Sequence, residues 1–168
     1  LKNIHSLKRY IRASTPEVFG SSEQYMSTNQ AFNPSSPYAV SHAAIDFHIR
    51  CLGRQYSFPY VLARYANYYG PGQQLYRVIP KAILSCLTNT KFTLAGGGLS
   101  SRSFIHSIDI CRSIDFIISS SSPFSEYHFS GSSEITILNL VKEICQLTHV
   151  DFSSIVTVGP ERLGKDMF

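Results

Sequence analysis

Along this chain, short apolar stretches of strand character alternate with longer stretches of helical period, and that alternation most constrains the fold. Strand candidates lie at residues 10–14, 59–64, 92–95, 103–106, 126–130 and 155–158. Helix candidates lie at residues 77–89, 107–118 and 136–147, with another starting near Pro37. Strand and helix in regular succession predict an α/β architecture with a largely parallel sheet, because parallel neighbours need a crossover connection. Ser35 and Ser36 offer capping oxygens to the helix near Pro37, and proline suits a first turn. That helix carries apolar residues at Val40, Ala43, Ala44, Phe47 and Leu52 and should fray between Gly53 and Ser57. Residues 1–8 read as the end of a helix, residues 21–37 and 65–72 as loops, and residues 119–122 as a serine linker.

Composition excludes several classes. A hydrophobic fraction of 43% over 168 residues fits one globular domain. The charged fraction, only 15%, suggests surfaces packed against something, such as the rest of a larger protein. The net charge of +4 is mild and the basic residues are scattered, so the chain is not expected to bind nucleic acid. No apolar run approaches the ~18 residues of a membrane span. Cys51, Cys86, Cys111 and Cys145 have no metal-like spacing and are expected to be buried free thiols in a reducing, cytoplasmic compartment. His5, His48, His106, His128 and His149 show no metal spacing either.

Chemistry concentrates at Tyr38 and His42. Four residues apart on a helix, they share a face. A cation in the second position can stabilise a tyrosinate in the first. A phenol has a reference pKa near 10, so ionising it at pH 7 costs about 4 kcal/mol, three units at about 1.36 each. An imidazole with an ordinary pKa of about 6.5 is mostly neutral at pH 7. Dinucleotide folds also carry a glycine-rich turn between their first strand and helix. Gly96-Gly97-Gly98 lacks that spacing, and nothing else in the chain supplies it.

Six segments in order resemble one family. They are Ala13-Ser14-Thr15-Pro16-Glu17-Val18-Phe19-Gly20, Pro34-Ser35-Ser36-Pro37-Tyr38-Ala39-Val40-Ser41-His42, Arg64-Tyr65-Ala66-Asn67-Tyr68-Tyr69-Gly70-Pro71, Arg77-Val78-Ile79-Pro80, Arg102-Ser103-Phe104-Ile105-His106 with Asp109, and Arg162-Leu163-Gly164-Lys165-Asp166. Together they are similar to the C-terminal two-thirds of extended short-chain dehydrogenases/reductases, the NAD-dependent nucleotide-sugar epimerase/dehydratase group. The 4,6-dehydratases are the most similar. The resemblance implies the back part of a doubly wound, Rossmann-like sheet plus a small substrate-binding lobe. It also implies that the glycine-rich half lies upstream, in keeping with a chain that opens on Leu1.

The resemblance further implies roles. Tyr38 takes the proton of a sugar C4 hydroxyl during hydride transfer to NAD, with His42 where the family carries Lys. Thr15 hydrogen-bonds the C4 oxygen and Glu17 removes the C5 proton. Pro16 stands where the dehydratases usually carry Asp, the acid for the departing C6 hydroxyl. Asn67, Arg77, Arg102 and Arg162 match substrate-binding positions, and guanidinium suits a diphosphate. Residues 1–75 would complete the cofactor domain, and residues 76–168 would form mostly the substrate lobe, with 107–130 returning to the sheet. A nucleotide-sugar substrate and a homodimer through the Tyr38 helix are implied as partners. Two alternatives stay open: a catalytically impaired nucleotide-sugar-binding relative, and an epimerase or decarboxylase on the same scaffold.

Overall fold

The computed structural model describes residues 6–20 and 27–161. Strand β1 (Tyr10–Ser14) leads into a single 3-10 turn, Pro16–Phe19. Helix α1 (Pro37–Tyr56) follows, then β2 (Tyr60–Tyr65) and a short β3 (Asn67–Tyr69). Next come α2 (Val78–Thr88), β4 (Phe92–Ala95), β5 (Ser101–His106) and α3 (Ser107–Ser120). The chain closes with β6 (Ser125–Phe129), β7 (Glu134–Thr136), α4 (Ile137–Leu147), α5 (Phe152–Ile155) and β8 (Val156–Gly159).

The strands form three small sheets. β1-β2-β6 is wholly parallel, with Ser14 opposite Arg64 and Arg64 opposite His128. β4 and β8 pair in parallel, and β5 sits between parallel β3 and antiparallel β7. The expected α/β architecture is therefore present. β2, the middle strand, is buried along Tyr60–Arg64, as a strand covered on both faces must be. One face packs Val61 and Ala63 against Ile117 of α3; the other packs Tyr60 and Leu62 against Ile49 of α1. A separate core joins α2 and α4 to β4 through Ala82, Cys86, Leu94, Val141 and Cys145.

Local chemistry explains the helix that matters most. Ser36 caps α1, its Oγ accepting from the Ala39 amide, and Pro37 occupies the first turn. Ser57 ends it in the left-handed region. Gly53 lets the helix lie close on β2, since a Cβ there would sit 2.4 Å from the Tyr60 ring. The buried side of α1 is Ala39, Ala43, Asp46, Ile49 and Gly53. Val40 and Phe47, expected among the helix's apolar positions, lie on the other side, half exposed.

Asp46, fully buried, is the hub of an ionic cluster. Its Oδ2 accepts from Ser14 Oγ and Arg64 Nη2, both at 2.9 Å, and its Oδ1 from Arg12 Nε at 3.1 Å. Arg64 also donates to Glu126 of β6 at 2.9 Å, and Arg50 of α1 grips Glu126 through two 2.7 Å bonds. The Arg64 guanidinium lies 5.1 Å from the Phe19 ring and 5.2 Å from Phe32. Burial raises the Glu126 pKa, but the hydrogen bonds from Arg50 and Arg64 outweigh it and hold the carboxyl below its usual range.

Several boundaries differ from expectation. Leu7 to Arg9 carry no helix, and residues 1–5 lie outside the described residues. Residues 67–69, read as loop, form β3 because β5 offers them a partner. β5 begins at Ser101, and α3 takes in Ser119 and Ser120, whose hydroxyls suit a last turn: Ser119 Oγ donates to the Asp115 carbonyl at 2.7 Å. Cys86 and Cys145 are buried, but Cys51 and Cys111 are exposed, contrary to expectation, because each falls on the solvent side of its helix.

Removing Asp46 leaves Arg12 and Arg64 uncompensated, so Asp46→Ala should destabilise the fold by roughly 3–5 kcal/mol, read as a lowered urea midpoint. The Glu126 contribution is present above the unfolded carboxyl value of 4.5 and is lost as pH falls through the lower folded value. Acid titration of stability should show that loss, and Glu126→Gln should remove it.

Candidate active site

The site forms where β1 ends and α1 begins. Thr15 follows the last residue of β1, and the 3-10 turn places Glu17 beside it, with the Thr15 Oγ accepting from the Glu17 amide at 3.3 Å. Tyr38 occupies the first turn of α1 and is 52% exposed, so its phenol is open to a ligand. Thr15, Glu17, Arg77 and Tyr68 all lie close enough to the phenol to act on its charge. Strand β1, the turn after it, helix α1, strand β3 and the N-terminus of α2 therefore converge on one phenol.

Electrostatics there are opposed. Burial raises the Tyr38 pKa, and the Glu17 carboxylate raises it further. The Thr15 hydroxyl and the Arg77 guanidinium pull it down, and the net remains above the ordinary value. His42 contacts Tyr38 ring to ring, with centroids 4.4 Å apart and planes tilted by 46°. Its Nδ1 lies 3.2 Å from Arg12 Nη2. Burial, then the Arg12 charge, lower the His42 pKa, and Asp46 offsets this only in part.

Arg77 is exposed at the N-cap of α2, its guanidinium 5.5 Å from the Tyr76 ring. Asn67, exposed, starts β3 and pairs with Phe104. Arg102 lies in β5 opposite Ile135, half-buried, its Nη1 donating to the Ser101 carbonyl at 2.7 Å. Arg162 lies outside the described residues. Thr15, Glu17, Tyr38, His42 and Arg77 are thus brought together, whereas Asn67 and Arg102 join the neighbouring sheet. Sequence reading missed Arg12, Asp46 and Tyr68. Asp46 continues the four-residue spacing of Tyr38 and His42, and Arg12 shares a strand face with Ser14, so period alone contained that information.

Residues 2–128 match the NAD dependent epimerase/dehydratase family. The chain belongs to that family. It is 33% identical over 142 residues to bovine dTDP-D-glucose 4,6-dehydratase, covering 84% of this chain and 40% of the relative. The human dTDP-D-glucose 4,6-dehydratase gives 32% over 142 residues, covering 84% of this chain and 41% of the relative. The chain thus spans about 40% of the length of these curated relatives. Among solved structures, DesIV (dTDP-glucose 4,6-dehydratase) of Streptomyces venezuelae, with NAD bound, superimposes with a TM-score of 0.91 at 29% identity, covering 98% of this chain and 52% of that one. UDP-N-acetylglucosamine 4-epimerase of Methanobrevibacter ruminantium gives 0.87 at 26% identity, covering 98% and 54%. Family membership accounts for the parallel sheet.

The donor set fits one end of a dinucleotide of the kind this family is named for. Thr15 and Tyr38 present hydroxyls, and His42 a ring nitrogen, along the exposed start of α1. No residue set for the pyrophosphate appears among the described residues: Gly96–Gly98 sits between two strands, β4 and β5, rather than between a strand and a helix.

The Tyr38 phenol should therefore titrate above an ordinary tyrosine. Glu17→Gln should lower that pKa and Arg77→Met should raise it. Carbon-13 NMR of ring-labelled tyrosine against pH reads both changes.

Proposed function

We propose that this chain carries the catalytic and substrate-facing part of an NAD-dependent nucleotide-sugar 4,6-dehydratase. One observation supports this reading above others: Thr15 and Glu17, just after β1, both act on the charge of the Tyr38 phenol, so an acidic group accompanies the hydroxyl and the phenol. A simple 4-epimerisation needs the phenol and hydroxyl but no third, acidic group.

NAD, when bound, supplies a hydride acceptor for the sugar C4. Tyr38 and His42 are the residues that would hold its nicotinamide end. Tyr38 takes the C4 hydroxyl proton, and Thr15 fixes that oxygen by hydrogen bonding. Once C4 is a ketone, the C5 proton is acidic and Glu17 removes it. Pro16 has no proton to give, so the same carboxyl hands the C5 proton to the C6 hydroxyl, which leaves as water; the hydride taken from C4 would then return to C6, and Glu17 would relay a solvent proton back to C5. Arg77, Arg102 and Arg162 suit the diphosphate because a guanidinium is permanently charged and bidentate, and Asn67 would add a polar contact on the substrate side.

The reading extends to a homodimer built on α1, where Val40, Ile45 and Phe47 are partly exposed. It also extends to a reducing, cytoplasmic setting suited to four free thiols. The domain reading carries over: residues 1–75 with the cofactor domain, the rest mostly a substrate lobe, with 107–130 returning to the sheet. A second reading, a binding relative without turnover, is favoured by His42 and its lowered pKa.

Calorimetry of the full parent protein with NAD, followed by incubation with dTDP-glucose and measurement of 4-keto product, separates these readings. The enzyme reading expects binding of NAD and product formation. Tyr38→Phe and Glu17→Gln should each lower turnover by about 10²–10⁴-fold, and Glu17→Gln should leave NAD binding in place. Nucleotide-sugar binding with no NAD affinity and no product would establish the binding relative instead.

A further inference from the structure

We propose that Arg12 is a positioning residue that locks His42 as a neutral imidazole protonated on Nε2, so that the Tyr38 face of α1 carries a directed hydrogen-bond donor instead of a cation. The inference rests on the dehydratase reading for its relevance to turnover, but the state of His42 follows from geometry alone.

A guanidinium has donors and no acceptor and does not deprotonate. The 3.2 Å contact from Arg12 Nη2 to His42 Nδ1 therefore requires a lone pair on Nδ1. Nδ1 then carries no proton, which leaves the ring neutral with its proton on Nε2. Arg12 is not free to turn away, because its Nε is held by the buried Asp46 at 3.1 Å and Asp46 is itself fixed by Ser14 and Arg64. The groups facing His42 are Arg12 from β1, and Asp46 and Tyr38 from its own helix. The cluster behind it holds three guanidiniums (Arg12, Arg50 and Arg64) against two carboxylates (Asp46 and Glu126), a surplus of one positive charge. A proton added to His42 would meet that surplus.

Two consequences follow for the site. His42 touches Tyr38 through its ring face, so it packs and aligns the phenol without supplying charge. The cation that does act on the phenol is Arg77, which reaches it from the start of α2. The phenol's ionisation is thus coupled to a residue on the substrate side, and its pH dependence should follow Arg77 more than His42.

Long-range proton–nitrogen correlation spectra of the nitrogen-15-labelled protein decide the matter, with His42→Asn assigning the signal among six histidines. The expected wild-type result is an unprotonated Nδ1 and a protonated Nε2, with the ring still neutral at pH 6.5, where an ordinary imidazole is half charged. Arg12→Gln should raise the His42 pKa and admit the other tautomer. A wild-type ring protonated on Nδ1, or an imidazolium near pH 7, would overturn the proposal even if Arg12→Gln fails to fold. A folded Arg12→Gln with unchanged His42 signals would overturn it as well. These spectra do not depend on turnover, so an inactive protein with the expected tautomer defeats the dehydratase reading and leaves this one standing.

Discussion

The ion pairing of Asp46 is the contact on which the rest of the structure depends. A carboxylate with no exposure to water is tolerable only when its lone pairs are filled, and three donors fill them here. Those donors come from β1 and β2, while the carboxylate comes from α1. Arg64 then passes the connection to Glu126 on β6, and Arg50 returns it to α1. One network thereby fixes a helix across three parallel strands. Apolar packing alone would tolerate small slides of that helix; directed ionic bonds at this depth do not.

The site inherits its geometry from that arrangement. Tyr38 and His42 lie two turns and one turn before Asp46 on the same face, so holding Asp46 places both. Ser14 ends β1 and Thr15 follows it; the first binds Asp46 while the second acts on Tyr38. The same bonds that close the cluster thus hold the end of β1 against α1. The second core, under α2 and α4, holds the helix whose start presents Arg77. Two packing units therefore each deliver part of the charge around a single phenol, the acid from one and the guanidinium from the other.

Much of this was legible in the sequence because it rests on local chemistry. Ser36-Pro37 announces the start of α1, and the apolar run at 60–64 announces a strand buried on both faces. The in-order motifs around Thr15, Tyr38 and Asn67 carried the family. What escaped reading depends on partners distant in the chain. Residues 67–69 are a strand only because β5 lies alongside, and β7 exists only as the antiparallel neighbour of Ser101–Ser103. Cys51 and Cys111 are apolar in context yet exposed, since period shows which residues share a face but not which face is covered. Arg12 reads as an ordinary strand arginine until Asp46 and His42, 34 and 30 residues away, are placed against it.

On the proposed dehydratase reading, a hydride carried by NAD passes from C4 to C6 of a nucleotide-linked hexose, with Glu17 managing the protons between. The most direct test is turnover of dTDP-glucose deuterated at C4, with the label located in the product by NMR. The account predicts deuterium at C6 of a 4-keto-6-deoxy sugar. Deuterium retained at C4 with inversion there would show an epimerase, and a label that never leaves the unreacted sugar would contradict catalysis altogether.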